Sequence, residues 1–440
     1  MRQSNRSLFE RHRCPGDPVQ IPPGSVSGLE LDAARKQKVK NGDSPFLPLA
    51  TILLPSKVDF EKLASMSVVA PIPDISVAAE TNAPQSTDKT ESRSSTQAAW
   101  FEVRPEHLPV WNSVLLDTST SLYQYPFWNE PYRPLWLTPR YLAWGTQDRP
   151  QAFVSILTIG FGPAKIGLVF RGPTCIHSRA GICSVAIGEL VRWARSHGYI
   201  FIRFTHHDPE VLGKLAATGR ADNFDAFPYF LDYPIISPDY VVSQSDSDEE
   251  TLAGFDREVR RKLRRATELG YQFCVETSPE ALQRAWPLYQ DCSRRKQFRL
   301  ERPLSVYMEA MRLGQVNDCV RLYSVHHHGK LVGSTLVFRD RDTAHCQLAA
   351  FDVQHRQAAV FLHWHAMRDM YRVGARRYNM GPGPGSLARF KRQFCQTPVA
   401  YPGAITVVTN ETLYRTWKFV FPVAKSLRPT LRKIVTRLKS

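Results

Sequence analysis

Residues 320–351 read VRLYSVHHHGKLVGSTLVFRDRDTAHCQLAAF, and this stretch determines the class of fold. Three runs rich in β-branched and aromatic residues are separated by turns, of which the first is His326–Gly329. Apolar residues then recur at helical spacing, which predicts an amphipathic helix over Ala358–Val373. The three runs predict consecutive strands over Val320–Val325, Leu331–Phe338 and Ala344–Phe351.

An upstream segment repeats this order of elements. Strands are predicted over Ala152–Ile159 and Ile166–Phe170, a helix over Ile182–Ser196 and a further strand over Tyr199–Phe204. Two similar halves indicate a tandem duplication of one α/β (α+β) fold, with mixed central sheets flanked by helices.

The remaining elements connect these units. A helix is predicted to begin at the N-cap candidate Ser247 and to end at Gly270, with acidic residues first and basic residues last, as suits the helix dipole. The other predicted elements are the strand Tyr271–Glu276, the helices Pro279–Cys292 and Pro303–Arg312, and the strand Arg377–Met380, which enters the loop Gly381–Gly385.

Positive charge is concentrated in part of the chain. The 440 residues include 57 Lys+Arg and 41 Asp+Glu, a formal charge of +16, but residues 1–97 hold only 12 of the basic and 11 of the acidic residues. Those 97 residues also contain ten of the 32 prolines, which predicts a disordered Pro/Ser-rich leader. The predicted order is therefore the leader over 1–97, a first domain over 98–245, a second domain over 246–410 and a basic amphipathic helix over 411–440.

Composition excludes several classes of protein. The eight cysteines include no C-x-x-C pair, which argues against a zinc ribbon, a dithiol redox motif or a secreted disulfide framework. No apolar run approaches the roughly 20 residues of a membrane span, and no signal peptide is recognisable. We expect a soluble, cytoplasmic protein. No histidine group has metal-ligand spacing and no G-x-S-x-G or Cys/His triad pattern occurs, so neither a metal nor covalent catalysis is predicted.

A set of short motifs occurs in a fixed order along the chain. The motifs are Tyr123–Trp128 (YQYPFW), Arg171–Pro173 (RGP), Val259–Ala266 (VRRKLRRA), Gly374–Gly381 (GARRYNMG) and Leu387–Phe394 (LARFKRQF). This set resembles the FemABX family, aminoacyltransferases that are built from two GNAT-like (acetyltransferase-like) domains and attach amino acids to peptidoglycan precursors. The similarity extends over residues 100–415, although the lysine that follows the early tryptophan in the family is replaced by Arg133, one position out of step.

The resemblance implies a set of site residues. Arg171, Tyr378 and Asn379 would contact substrate, and the pair Phe390-Lys391 would lie at the reaction centre. Aminoacyl transfer from an ester to an amine passes through a tetrahedral oxyanion, which needs a fixed positive charge or N–H donors. Lys391 is the candidate for that charge, with Phe390 fixing its direction. The alternative is a surface lysine on a solvated basic helix.

Six basic residues lie within Arg257–Arg265. Guanidinium groups suit phosphate oxygens, and the resemblance implies two polyphosphate substrates, a nucleotide- or lipid-linked envelope precursor and a tRNA. Arg260, Arg261 and Arg264 are therefore predicted to bind substrate. The alternative is a helix whose charges only face water.

The C-terminal residues combine apolar side chains with basic ones, and no acidic residue follows Glu411. Such a helix can lie on an anionic membrane at the inner face. Alternatively, it packs on the second domain with its charges in water.

Three functions are open at this point. The leading hypothesis is a FemABX-type acyltransferase that transfers an aminoacyl or acyl group to an amine of a peptidoglycan or envelope polysaccharide precursor, with aminoacyl-tRNA or acyl-CoA as donor and no other cofactor implied. The second is an acyl-CoA-dependent GNAT N-acetyltransferase in exopolysaccharide biosynthesis. Against it, Gln354–Ala359 lacks the glycine of a CoA pyrophosphate loop, while Arg179–Gly181 is a further candidate loop. The third is a non-catalytic basic protein that binds nucleic acid or membrane.

Overall fold

A computed structural model of the protein describes residues 98–422 with internal gaps. The predicted leader, 1–97, and the end of the predicted C-terminal helix, 423–440, lie outside the described residues. The gaps are 119–120, 136, 147–148, 176–179, 207, 219–220, 223–237, 298–299, 301, 384, 396–397 and 401–403.

The first sheet is formed mainly by the N-terminal half. In the described part of the chain it has the strand order β1-β2-β3-β4-β6-β14-β7, with β5 paired to β3, and only β4 and β6 run parallel. The strands predicted over Ala152–Ile159 and Ile166–Phe170 form the antiparallel hairpin β3–β4. The strands are β1 (Ala99–Glu102), β2 (Thr138–Thr146), β3 (Arg149–Phe161), β4 (Ala164–Phe170), β5 (Thr174–Cys175), β6 (Tyr199–Thr205), β7 (Ala221–Asp222) and β14 (Ala404–Val408).

Helices cover this sheet. The longest, α3, buries Ala186, Leu190 and Ala194 against the apolar face formed by β3, β4 and β6, which matches the predicted amphipathic pattern. The helices are α1 (Leu108–Asp117), α2 (Pro126–Asn129), α3 (Ala180–Ser196) and α4 (Pro209–Ala217).

The second sheet is formed mainly by the C-terminal half. Its order is β8-β13-β12-β11-β10-β9, and among these described strands only β12 and β13 run parallel. His328 and Gly329 both have positive φ, 49° and 75°, so they form a tight turn that fits the strand twist. The strands are β8 (Val241–Ser243), β9 (Gln272–Glu276), β10 (Val320–His327), β11 (Lys330–Arg339), β12 (Thr343–Phe351) and β13 (Arg377–Asn379).

The predicted helix from Ser247 to Gly270 is two helices, so that prediction was wrong. Ser247 caps the first by accepting from the Glu250 N–H, and Asp256 caps the second by accepting from the Glu258 N–H. Between them Phe255 is buried edge-on against Trp364 and Phe394, which fixes the break. The helices are α5 (Asp248–Ala253), α6 (Arg257–Glu268), α7 (Pro279–Lys296), α8 (Leu304–Gly314), α9 (Ala358–Arg372) and α10 (Gly385–Arg392).

The two halves exchange strands. β8 lies within the predicted first domain, 98–245, but pairs with β13 of the second sheet, and β14 lies within the predicted second domain, 246–410, but pairs with β6 and β7 of the first. A cut at those boundaries would therefore remove a strand from each sheet. The domain limits remain a prediction. The strand exchange also means that neither half has a complete sheet without the other.

A buried contact joins the halves. The Phe127 ring stacks on Phe338 at 6.1 Å between centroids, and Trp128 meets the same ring edge-on at 5.4 Å. The guanidinium of Arg302 lies 3.9 Å from the Trp128 ring. The early tryptophan of the first half thus packs against residues of the second.

Residues 411–422 are helical and pack on the first half, not on the second domain as one alternative proposed. Tyr414 and Trp417 lie 5.3 and 6.1 Å from the ring of Phe201 in β6, while 79% of Phe419 is exposed. The reason is the strand exchange, because β14 returns the chain to the first sheet just before this helix. No helix of the described residues is long and apolar enough to cross a bilayer.

The cysteines do not behave alike. Cys292, Cys319, Cys346 and Cys395 are not in disulfides. Cys175 and Cys274 are each in a disulfide, which the scattered spacing did not predict.

Candidate functional site

Lys391 is a buried lysine at the end of α10. Only 7% of it is exposed, and its ammonium donates to three backbone carbonyls, those of Met380 at 2.5 Å, Gly381 at 3.0 Å and Pro382 at 2.7 Å. Burial lowers the pKa of Lys391, and the nearby Cys346 and Asp239 act in the opposite direction. The alternative of a surface lysine therefore does not hold, whereas its neighbours Arg389 and Arg392 are exposed.

The carbonyls around Lys391 belong to the loop that follows β13. Asn379, the last residue of β13, accepts the Gly381 N–H on its side-chain oxygen at 2.7 Å. Gly381 has a φ of 71°, a left-handed conformation that favours glycine. This conformation and the Asn379 bond turn the carbonyls of 380–382 toward one ammonium group.

Asp239 connects this loop to the first half of the chain. Its carboxylate is 5% exposed, and one oxygen, Oδ2, accepts from the Asn379 amide at 2.6 Å and from the Arg171 guanidinium at 3.1 Å. The Asp239 backbone also exchanges two hydrogen bonds with Val399, after α10. Three of the predicted site residues, Arg171, Asn379 and Lys391, thus lie around one buried carboxylate.

The first-half motifs hold Arg171 in place. Its guanidinium lies 4.8 Å from the Tyr123 ring, and its backbone N–H donates to the end of β6 at Thr205. A Cβ added to Gly172 would lie only 2.6 Å from Gln124, so a glycine is needed there. Gln124 in turn accepts the Ser155 N–H at 2.8 Å. The YQ and RGP motifs therefore interlock and present Arg171 to Asp239.

Tyr378 is fully buried between the second sheet and α9. Its hydroxyl is 3.2 Å from Nδ1 of His363, and burial raises its pKa well above the usual value, so the phenol is neutral. Burial lowers the pKa of His363 to about 3, with Lys391 acting in the same direction. The adjacent thiol of Cys346 is 3.3 Å from the Thr335 hydroxyl. These groups form an uncharged polar lining behind the Lys391 ammonium.

Phe390 packs against two aromatic rings of the second half. Its ring lies 5.9 Å from His363 on α9 and 5.2 Å from Phe394, two residues after α10. These contacts fix the rotation of α10, and that rotation turns Lys391 inward.

The predicted substrate-binding arginines of α6 are on the surface. Arg260, Arg261 and Arg264 are exposed, and Arg261 donates two hydrogen bonds to Glu258 one turn earlier. Val259, Leu263 and Ala266 form the buried face of the same helix. No contact among the described residues joins these arginines to the Lys391 cluster, although α6 begins beside α10 through the Asp256 N–H to Gln393 carbonyl bond.

Arg133 stands near the position of the family's lysine. It is half-exposed and bound to Glu130, which also accepts from the Tyr141 hydroxyl at 2.9 Å. Its charge is therefore already paired.

The loop before α9, where a GNAT domain would hold CoA pyrophosphate, makes internal hydrogen bonds. The N–H groups of Gln354 and His355 donate to the side chain and backbone of Asp352, and the Ala358 N–H donates to the His355 carbonyl. An anionic carboxylate and occupied amides do not suit a pyrophosphate. The other candidate loop begins at Arg179, which lies outside the described residues.

Sequence reasoning missed Asp239, Cys346 and His363. Asp239 follows the undescribed segment 223–237 and carries no motif, and Cys346 and His363 lie in runs that simply predict a strand and a helix. Only the packing brings them to Lys391. In the described residues no group of histidines, cysteines and carboxylates is arranged to hold a metal ion.

Comparisons with known proteins agree with the fold. Residues 253–392 match the acetyltransferase (GNAT) domain family, and no curated protein sequence matches the chain. The solved structure of FemX is similar with a TM-score of 0.62 at 14% identity, over 72% of this chain and 99% of that one. The structure of L-PGS from Bacillus licheniformis gives a TM-score of 0.48 at 15% identity, over 73% and 98%. The predicted double GNAT-like fold and the prediction of a transferase are confirmed.

Proposed function

Because this chain is a transferase with a GNAT domain in a FemX-like fold, we propose that it transfers an aminoacyl or acyl group to an amine of a cell-envelope precursor. The acceptor is a peptidoglycan or envelope polysaccharide precursor, linked to a nucleotide or a lipid. The donor is aminoacyl-tRNA.

One observation carries the proposal, the buried cation Lys391 at the meeting point of motifs from both halves. Asp239 carries one negative charge, and Arg171 and Lys391 carry two positive charges, so the three groups together have a net positive charge. A net positive, water-poor environment stabilises the oxyanion that forms when an amine attacks an ester. Neutral Tyr378 and His363 add no opposing charge.

The same geometry defines what Lys391 can do. Its three N–H groups are all engaged by loop carbonyls, so it acts on a developing oxyanion through its charge and through the loop it shapes, or after exchanging one carbonyl for the oxyanion. The exposed Arg260, Arg261 and Arg264 supply phosphate contacts for a polyanionic substrate approaching from the surface.

A second candidate, an acetyl-CoA-dependent N-acetyltransferase, is favoured by the description of the matching family as an acetyltransferase domain. The loop before α9 opposes it, because the N–H groups of Gln354, His355 and Ala358 are already hydrogen-bonded and the Asp352 carboxylate lies beside them. The choice of donor separates the two candidates.

The test is a transfer assay with both donors. The full chain is incubated with labelled aminoacyl-tRNA or labelled acetyl-CoA and a nucleotide-linked or lipid-linked muropeptide, and label on the acceptor is measured. We expect transfer from aminoacyl-tRNA, reduced in Lys391→Ala and retained in Arg389→Ala, its exposed neighbour. Transfer from acetyl-CoA alone would support the second candidate, and transfer from neither would contradict both.

We further propose that the protein is cytoplasmic and touches the inner face of the membrane through its basic C-terminus. The exposed Phe419 on the helix 411–422 and the basic residues after it support this. Truncation after Pro422 keeps the packed residues Tyr414 and Trp417, so loss of binding to anionic vesicles would report on the tail alone. Unchanged binding would contradict the membrane contact.

A further inference from the structure

Asp239 has an unusual place in the site. Asp239 lies in a connecting segment and belongs to no motif, so the sequence gives no reason to select it. Its side chain nevertheless contacts Arg171 of the first half and Asn379 of the second. Its carboxylate is 5% exposed, and a charge buried to that extent is costly unless it is paired and hydrogen-bonded. The burial therefore requires a set of fixed partners.

Those partners form a chain of hydrogen bonds that ends at Lys391. Asp239 Oδ2 accepts from Asn379, the other end of the Asn379 amide accepts the Gly381 N–H, and the Gly381 carbonyl accepts from Lys391. An amide has one donor end and one acceptor end, so the carboxylate determines which end faces the loop. The negative charge of Asp239 thus sets the orientation on which the loop depends.

The same oxygen also holds Arg171. The guanidinium is 16% exposed, lies over Tyr123 and donates to Asp239 at 3.1 Å. One carboxylate therefore fixes a cation of the first half relative to the loop of the second. Since β8 begins two residues later and joins the second sheet, Asp239 is also rigidly attached to that half.

We propose that Asp239 is a positioning residue for the transfer reaction, which orients Arg171 and, through Asn379, the loop 380–382 that surrounds Lys391. This inference rests on the proposed function of the site. Asp239 does not contact the reacting atoms. Its effect is on the geometry of groups that do, and displacement of such groups by about 1 Å costs about 10²-fold in rate.

The test uses a reciprocal exchange of side chains. Asp239→Asn removes the negative charge and leaves one carbonyl oxygen in place of two carboxylate oxygens, and Asn379→Asp brings two carboxylates together. The double variant Asp239→Asn/Asn379→Asp restores a donor and an acceptor between residues 239 and 379 and keeps an acceptor for the Gly381 N–H. Arg171 shares the atom of residue 239 that bonds residue 379, so in the double variant it meets an amide nitrogen instead of an oxygen. Asp246→Asn, which removes an exposed acid outside the cluster, is the matched control.

Two readouts are needed. The first is kcat in the transfer assay, for which we expect a loss of about 10²-fold in each single variant, a smaller change in KM, and only partial recovery in the double variant, because the Arg171 contact to an oxygen is not restored. The second is amide hydrogen exchange of residues 380–383, which needs no substrate and should be faster in the single variants and slower again in the double variant.

The outcomes separate this inference from the proposed function. If the unaltered protein transfers no label, the proposed function fails, while the exchange rates still decide whether Asp239 orders the loop. Unchanged exchange at 380–383 in Asp239→Asn, or unchanged kcat together with faster exchange, would overturn the positioning role. Failure of the double variant to slow the exchange at 380–383 would also overturn it.

Discussion

Replacement of Lys391 by methionine tests the centre of the site most directly. Methionine keeps much of the length and apolar stem of lysine but removes the ammonium that binds the carbonyls of Met380, Gly381 and Pro382. Asp239 keeps Arg171 as its partner, so no unpaired carboxylate remains. The substitution thus removes one charge and three hydrogen bonds and little else.

The structure gives the expected size of two effects. A hydrogen bond to a charged group contributes about 1.5–3 kcal/mol, but the buried ammonium also loses its desolvation cost, so we expect the free energy of unfolding to fall by about 2–3 kcal/mol in total. Loss of the charge near the oxyanion should lower kcat by about 10²–10³-fold. The expected loss of kcat is therefore larger than partial unfolding would cause, because a variant whose free energy of unfolding falls by this amount stays mostly folded.

The assay is label transfer at saturating acceptor, with urea unfolding of the same samples. Arg389→Met removes a charge of the same sign from the exposed face of the same helix and should change the free energy of unfolding by no more than about 0.5 kcal/mol, with kcat unchanged. If Lys391→Met and Arg389→Met have the same kcat, Lys391 is not part of the catalytic site and the reasoning is refuted.

Further predictions concern the neighbouring elements. His363 has a pKa of about 3 against an ordinary 6.5, so on acidification the unfolded chain takes up a proton that the folded chain does not. The free energy of unfolding should therefore fall below about pH 6.5 by up to about 1.4 kcal/mol per pH unit. His363→Gln should flatten this slope in urea titrations, and an unchanged slope would assign it to other groups. Truncation after residue 403 removes β14 and should unfold the first half, seen as lost cooperativity in thermal melts, whereas truncation after Pro422 should leave the melt intact. Replacing Arg260, Arg261 and Arg264 together by Gln should change the free energy of unfolding by no more than about 1 kcal/mol, because these side chains are exposed. The triple variant should raise KM for a polyphosphate substrate in a salt-dependent way. An unaltered KM would mean that the arginines of α6 only face water.

The elements themselves followed from local patterns. Most predicted elements appear where apolar spacing placed them. They include the three strands over 320–351, the helix Ala358–Arg372 and, earlier in the chain, β3, β4 and α3. The break at Phe255 was missed because its cause, a ring buried against Trp364 and Phe394, lies in distant segments. The Asp256 cap was visible in the sequence, but a single cap does not outweigh a continuous helical pattern.

Motif residues were found more easily than their roles. Arg171, Asn379 and Lys391 were selected from a resemblance, and the fold brings them around one carboxylate. Tyr378, selected on the same basis, turns into the core toward His363. Residues within one motif alternate between facing the site and facing the core, and that choice depends on the strand register.

The sequence by itself determined the α/β class, the duplicated order of elements and the segments that carry the chemistry, because hydrophobic periodicity and short motifs act over a few residues. Only the tertiary structure decided that β8 and β14 exchange places between the sheets, that the C-terminal helix packs on the first half, and that Asp239 joins Arg171 to the loop around Lys391. These features depend on contacts between residues far apart in the chain, and burial of a charge is favourable only when all of its distant partners are in place.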